Sequence, residues 1–265
     1  MERRIKDLSD TPFEVLVLGG GIQGIAILHS LAQRGIKCAL IEKNDFASGS
    51  SANNLKVIHG GLRYLQSGDL IRMRRSIKAR RAFMQVAPSL VKPLGFAIPT
   101  KTIGLTNRFI LKMALWLNDA ISFDRNRFLD LPNHLPSGRI INAKKFFKPF
   151  SDSDETFSCS GAMWFDSLIY DSGRLAIELI KNATHNGAIA CNYMRADCLI
   201  NNENGVSGVI ATDCESGTSI KIKSRLIVDA TGPGRGLIEI NNKVQDYERE
   251  NQWWKATNLI FNRPL

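Results

Sequence analysis

VLVLGGGIQGIAILHSLAQRGIKCALIE, residues 15 to 42, carries two kinds of hydrophobic period in immediate succession. Val15 to Leu18 is a short apolar, β-rich run, the pattern of a strand buried on both faces of a parallel sheet. Gly19, Gly21 and Gly24 follow with the spacing GxGxxG. From Ile22 to Arg34 the apolar residues Ile25, Ile27, Leu28, Leu31 and Ala32 mark one face of a helix, and Gly35 stands at its C-cap. Lys37 to Ile41 is a second strand, closed by the acid Glu42.

Strand, glycine turn, helix, strand and acid together are the signature of a dinucleotide site. Gly19 permits the tight turn, Gly21 lets backbone approach a pyrophosphate, and Gly24 lets helix and sheet pack closely. Ile22, Gln23 and the helix N-terminus supply amide N–H groups and the positive end of a dipole for the phosphates. Glu42, eighteen residues after Gly24, is placed to accept from ribose hydroxyls. The plain alternative is a glycine-rich turn with no ligand.

The next segment favours a flavin over a nicotinamide. Asp45-Phe-Ala-Ser-Gly-Ser-Ser51 precedes Lys56-Val-Ile-His-Gly-Gly-Leu-Arg-Tyr-Leu65, where a nicotinamide enzyme would run into a third βα unit. Ser48, Ser50 and Ser51 can hydrogen-bond a second phosphate and a ribityl chain. Gly60 and Gly61 allow backbone to lie flat against a ring system.

At these residues the chain resembles the FAD-dependent glycerol-3-phosphate dehydrogenases and α-glycerophosphate oxidases, within the glycine-oxidase-like flavoproteins. The matching strings are GGGIQGIAILHSLAQRGIKCALIEKNDFASGSS and KVIHGGLRYLQ; the likeness continues at Phe165 to Leu175 and at Leu226-Ile-Val-Asp-Ala-Thr-Gly-Pro-Gly234. The resemblance implies that His59 to Leu62 lines the flavin ring, that Arg63 holds the substrate phosphate with Tyr64 beside it, and that Ala230, Thr231 and Gly232 close over the FAD phosphates. With it go Lys43, Lys56, Ile58 and Ala196 as further cofactor-binding positions. His59 is the one histidine with a mechanistic setting. It is either a base on the substrate hydroxyl, a group that orients the flavin, or a packing residue. Two departures stand out: Asn54-Leu55-Lys56 replaces a Ser-Ser-Lys or Ser-Thr-Lys run, and Asn258 stands at a family histidine. The chain reads as the N-terminal portion of a longer protein.

The hundred residues from 51 to 150 hold eighteen basic and four acidic side chains, so the whole net charge of +10 lies there. Six bases fall between Arg72 and Arg81, on a helix over 69–85 with Leu70, Met73, Ile77 and Met84 as its apolar face. Such a block serves an anionic membrane surface or an anionic substrate, or is a solvated face paired with acids elsewhere. Nucleic acid is not expected, because no aromatics interleave the charges. Five cysteines, none in a CxxC, read as reduced thiols, and no metal site is expected. No apolar run approaches the roughly 20 residues of a membrane span.

The expected fold is α/β: a Rossmann-like FAD-binding domain (1–68 and 161–240) interleaved with a partial α+β substrate domain (69–160 and 241–265). Strands are expected near 93–100 and 188–193, and again at 196–201, 206–213 and 218–230. Those between 196 and 222 form an antiparallel excursion, and 225–230 closes the parallel sheet. Helices are expected over 107–119 and 172–186, and irregular chain over 122–160. The expected activity is oxidation of sn-glycerol 3-phosphate to dihydroxyacetone phosphate, with electrons passed to a quinone or other acceptor. The expected location is cytoplasmic, with peripheral contact at the inner face of the cell membrane. The alternatives are an amine or amino-acid oxidase of the same fold and a non-catalytic FAD-binding subunit.

Overall fold

The structure is a computed structural model, and it describes residues 3–101, 103–142, 160–203 and 205–232. These fall into two compact units. The described residues up to Asn54 and from Ser172 to Gly232 form the first; Leu55–Asp171 form the second.

The first unit is built on β1 (Phe13–Leu18), α2 (Ile22–Ala32) and β2 (Cys38–Ile41), preceded by a short helix α1 (Ile5–Asp10). The chain returns with α5 (Ser172–His185), β7 (Ile189–Cys191), β8 (Met194–Asn202), β9 (Gly205–Asp213) and β10 (Ser219–Asp229). One six-stranded sheet runs β7-β2-β1-β10-β9-β8. β7, β2, β1 and the second half of β10 are parallel, whereas the first half of β10 pairs antiparallel with β9. The last strand of the expected excursion and the closing strand are thus one continuous strand, β10, which changes partner at Ser224.

β1 shows why its run is apolar throughout. Val15 and Val17 pack with Ile25, Leu28 and Ala32 of α2 and Ala176, Ile180 and Ala183 of α5. Leu16 and Leu18 pack on the other face with Leu8, Met194, Val209, Ala211 and Ile222. Helices cover one face, and α1 with the antiparallel strands covers the other. Each buried Leu or Ile contributes about 1.5–3 kcal/mol by leaving water. Gly35 and Gly187 follow their helices with φ of +70° and +89°, where an αL residue ends the run. Cys38, Cys191, Cys198 and Cys214 are free thiols, and burial, then Glu14, pushes the Cys38 thiol up to about 11.

The second unit holds β3 (Val57–Ile58), a 3-10 turn at Leu62–Leu65, α3 (Leu70–Val86), β4 (Val91–Pro99), α4 (Arg108–Ile121), β5 (Arg139–Ile141) and β6 (Gly161–Ile169). β6 pairs antiparallel with β4 along nine residues and also with β3 and β5. This ladder draws 161–171 and 55–68 into the second unit, so the boundaries fall at 54/55 and 171/172 rather than 68/69 and 160/161. β5 also adds a strand to the stretch expected to be irregular. Residues 143–159 and 233–265, including Asn258, lie outside the described residues.

α3 buries Met73, Ile77 and Met84 as expected, but Leu70, its first residue, is 48% exposed. Arg80 is buried instead. Half of the basic run is paired with acids: Arg74 and Arg81 share Asp124, and Arg80 pairs with Asp166. The Arg74 guanidinium, opposed by burial and assisted by Arg81, holds the Asp124 carboxyl well below the usual carboxylate range. A depressed aspartate stabilises the fold above its unfolded value of about 3.9, and that stability is lost as pH falls toward the folded value. Asp124→Asn should therefore be less stable at pH 7 and lose less further stability by pH 3. Urea midpoints at the two pH values measure this, and equal declines in both proteins would contradict it.

Candidate functional site

Within the first unit the glycine turn lies where the strand order reverses. The chain leaves β1 for β2 on one side, while β10 flanks β1 on the other, and open parallel sheets bind ligands at the carboxyl ends of strands at such a point. Gly19, with φ +105°, lies against β10: a Cβ there would stand 2.5 Å from the Ala230 carbonyl oxygen. A Cβ on Gly24 would overlap the Gly19 carbonyl oxygen and reach 3.3 Å from Val17. These two glycines are demanded by the protein's own backbone. Gly21 is different. A Cβ there would meet only Ser51 Oγ, at 3.3 Å. The residue that the motif assigns to pyrophosphate approach thus opens away from the fold, as a phosphate cradle requires.

The walls of the cradle come from three further segments. Ile22 N donates to Ser51 Oγ (2.9 Å), so Ser51 satisfies one of the first-turn amides that a helix leaves without internal acceptors. Glu42 Oε2 accepts from Gly20 N (2.7 Å) and Oε1 from Asn44 N (2.8 Å). Its carboxylate therefore also fastens the turn, beyond the ribose role read from the sequence; with about four lone-pair sites it keeps acceptor capacity. Ala230 N donates to Leu18 O (2.8 Å), and Thr231 folds back on Asp229 through N (3.0 Å) and Oγ1 (2.6 Å). Gly232 follows with φ +90°. The structure thus brings Gly19, Gly21, Ile22, Gly24, Glu42, Ser51, Ala230 and Thr231 into one constellation. Gln23 is exposed on the first turn of α2, and Lys43, Ser48 and Ser50 are exposed on the loop after β2. Ala196 sits on β8 opposite Ala211, packed against the core rather than in the turn.

The second unit gathers the HGGLRYL residues around a buried acid. Asp166 Oδ1 accepts from Gly60 N (2.6 Å) and from Arg80, while Oδ2 lies 3.2 Å from His59 Nδ1. Arg80 also donates to the Phe165 carbonyl (3.2 Å). Burial pushes the Arg80 guanidinium below its ordinary value, and Asp166 beside it pulls the other way. The His59 side chain itself is 56% exposed. Phe96, stacked on its cross-strand partner Trp164 at 5.4 Å, stands 6.1 Å from the imidazole.

The glycine pair has an internal cause as well. A Cβ on Gly60 would overlap the Arg80 guanidinium, and Gly61 enters the 3-10 turn with φ +89°. Ile58 is the last residue of β3, and Leu62 opens the turn. Lys56 has φ +56°, and its carbonyl accepts from Ile169 N (2.7 Å). Tyr64 is stacked by Arg72, 4.9 Å from the ring centroid. Arg63 is exposed, with no hydrogen bond or ion pair to its side chain among the described residues.

Two members of this cluster escaped the sequence reading. Nothing local in the sequence marks the role of Asp166, which lies within the stretch Phe165 to Leu175. Arg80 was counted among the bases of a charged helix. Its spacing from Met73, Ile77 and Met84 placed it on the buried face, where an arginine requires an acid. Among the described residues no group of His, Cys, Asp and Glu could hold a metal ion.

Comparison with known proteins gives a consistent picture. A family model described as FAD dependent oxidoreductase matches residues 14–250. A glycerol-3-phosphate dehydrogenase of Synechocystis sp. is 32% identical over 234 residues, covering 87% of this chain and 41% of that protein. An alpha-glycerophosphate oxidase of Streptococcus pneumoniae is 29% identical, covering 94% and 40%. The chain thus spans about two-fifths of the length of these relatives. Among solved structures, a glycerol-3-phosphate dehydrogenase from Bacillus halodurans complexed with FAD matches with TM-score 0.63 and 26% identity, covering 86% of this chain and 36% of that one. An L-proline dehydrogenase from P. horikoshii, at TM-score 0.56 and 21% identity, shares the fold.

Proposed function

The chain belongs to the FAD-dependent oxidoreductase family, with FAD as its cofactor, and on that premise we propose that it oxidises sn-glycerol 3-phosphate to dihydroxyacetone phosphate. Gly21, Ser51, Glu42 and Thr231 of the first unit would hold the dinucleotide part of the cofactor, and Gly19 and Gly24 keep the turn in shape. FAD, when bound, supplies the acceptor for the hydride that leaves the carbinol carbon. The protein supplies orientation, an anion anchor and a base for the hydroxyl proton. His59 is the proposed base.

The observation that carries the substrate class is the state of Arg63. Arg74 and Arg81 are occupied by Asp124 and Arg80 by Asp166, whereas the Arg63 side chain, like those of Arg75 and Lys78, has no hydrogen bond or ion pair among the described residues, and Arg63 is the one of these in the turn that follows Gly60 and Gly61. A guanidinium fork presented in this way suits a phosphate, which accepts two parallel hydrogen bonds. In the full-length protein, Arg63→Lys keeps the charge and loses the fork. The Michaelis constant for glycerol 3-phosphate should rise about tenfold or more, equivalent to about 1.4 kcal/mol, with bound FAD unchanged. An equal response with uncharged glycerol would assign Arg63 to the fold or the flavin instead.

We further propose that electrons pass to a quinone, and that the protein works in the cytoplasm at the inner face of the cell membrane. α4 supports a peripheral contact: Phe109, Met113 and Trp116 are exposed on it, with Arg108 and Lys112 alongside. Apolar side chains interleaved with bases suit an anionic lipid surface. No helix among the described residues is long and apolar enough to cross a membrane.

A further inference from the structure

We propose that Asp166 and Arg80 are positioning residues for His59, fixing its ring as the Nδ1–H tautomer and leaving Nε2 as the proton acceptor; this rests on the reading of His59 as the base. The argument begins with what each atom can do. An ionised carboxylate only accepts hydrogen bonds. Its Oδ1 is occupied by two donors, Gly60 N and Arg80, and its Oδ2 faces His59 Nδ1 at 3.2 Å. An unprotonated Nδ1 would set two acceptors against each other. The hydrogen therefore belongs on Nδ1, and the lone pair on Nε2.

The same carboxylate grips His59 twice, through the ring and through the amide of the next residue. With the ring more than half exposed, no other contact among the described residues fixes its orientation so firmly. Phe96 lies too far, at 6.1 Å between centroids, to hold the imidazole alone. Arg80 completes the arrangement. It donates to the same Oδ1 and sets a positive charge beside the buried carboxylate that orients the ring. In the proton-transfer step the substrate O–H bond breaks, its proton forms an N–H bond at Nε2, and the oxygen keeps the electron pair that becomes C=O as the hydride leaves carbon.

Asp166→Asn separates orientation from structure. The amide oxygen must take the Oδ1 place, because Gly60 N and Arg80 are both donors. The NH2 group then faces His59 Nδ1 and forces it to accept, which moves the ring hydrogen to Nε2 and removes the acceptor. The test uses the full chain carrying FAD and histidine labelled with 15N, with the His59 signals assigned by their loss in His59→Gln. Ring shifts should show Nδ1–H in the wild type and Nε2–H in Asp166→Asn. Turnover of glycerol 3-phosphate with an artificial electron acceptor should show kcat lowered at least about 100-fold, the scale of lost general-base catalysis, with the Michaelis constant and bound FAD unchanged.

A wild-type ring carrying its hydrogen on Nε2 overturns the proposal, and this holds even if the variant fails to fold. So does a folded variant that keeps the Nδ1–H form, or one that changes tautomer with kcat unaltered. A wild-type protein with the Nδ1–H form and no turnover of glycerol 3-phosphate would instead defeat the reading of the substrate, and leave the role of Asp166 in setting the tautomer established.

Discussion

Gly24→Ala is expected to lower the stability of the first unit by at least about 3 kcal/mol, a fall in Tm of roughly 6–12 °C for a chain of this size. The new methyl would overlap the carbonyl oxygen of Gly19, and its next neighbours are the Gly19 carbonyl carbon at 3.2 Å and Val17 at 3.3 Å. None of these is the end of a flexible side chain. α2 would have to lift from β1, and the packing of Ile25, Leu28 and Ala32 on Val15 and Val17 would open with it. Thermal melts followed by circular dichroism measure the effect. A Tm within about 2 °C of wild type would show that helix and strand can separate without cost.

Gly21→Val should behave in the opposite way, with the fold kept and FAD lost. The site of its Cβ is bordered only by Ser51 Oγ at 3.3 Å, so a rotation of one serine relieves the contact. The two methyls of valine would then fill the space that the pyrophosphate needs. FAD affinity is expected to fall at least about 100-fold, equivalent to about 2.8 kcal/mol, while the melt of the protein without cofactor stays near wild type. Titration of FAD followed by flavin fluorescence quenching decides it. Unchanged affinity in a folded variant would take the glycine turn out of the site. The two glycines are three residues apart in one motif, yet one answers to the chain's own backbone and the other to a ligand.

The difference between these glycines was only partly legible in the sequence. Periodicity gave β1, α2 and β2 nearly to the residue, because a strand buried on both faces and an amphipathic helix leave unmistakable patterns. The glycine spacing marked out the turn between β1 and α2. What the pattern could not show was long-range pairing. Nothing local says that Gly161–Ile169 joins Val91–Pro99 in a ladder, so the unit boundaries were misplaced on either side. The role of Asp166 was hidden for the same reason, since its partners Gly60 and Arg80 are 106 and 86 residues away. Arg80 shows a different limit. Charge led it to be read as surface, although its place between Ile77 and Met84 on the helix said otherwise.

The sheet order has a consequence for synthesis on the ribosome. β1 and β2 are made early, but β2 needs β7 at Ile189–Cys191, and β1 needs the Ser224–Asp229 half of β10. The described part of the second unit, by contrast, occupies one unbroken stretch, Leu55–Asp171. At translation speeds of 5–20 residues per second, Val15–Leu18 and Cys38–Ile41 wait on the order of 10–40 s for the strands that cover their edges. During that interval the most apolar segments of the chain are nascent edges open to pairing with other chains. The second unit can therefore finish folding first, and the first forty residues are the stretch of nascent chain with most to gain from being held apart from other chains.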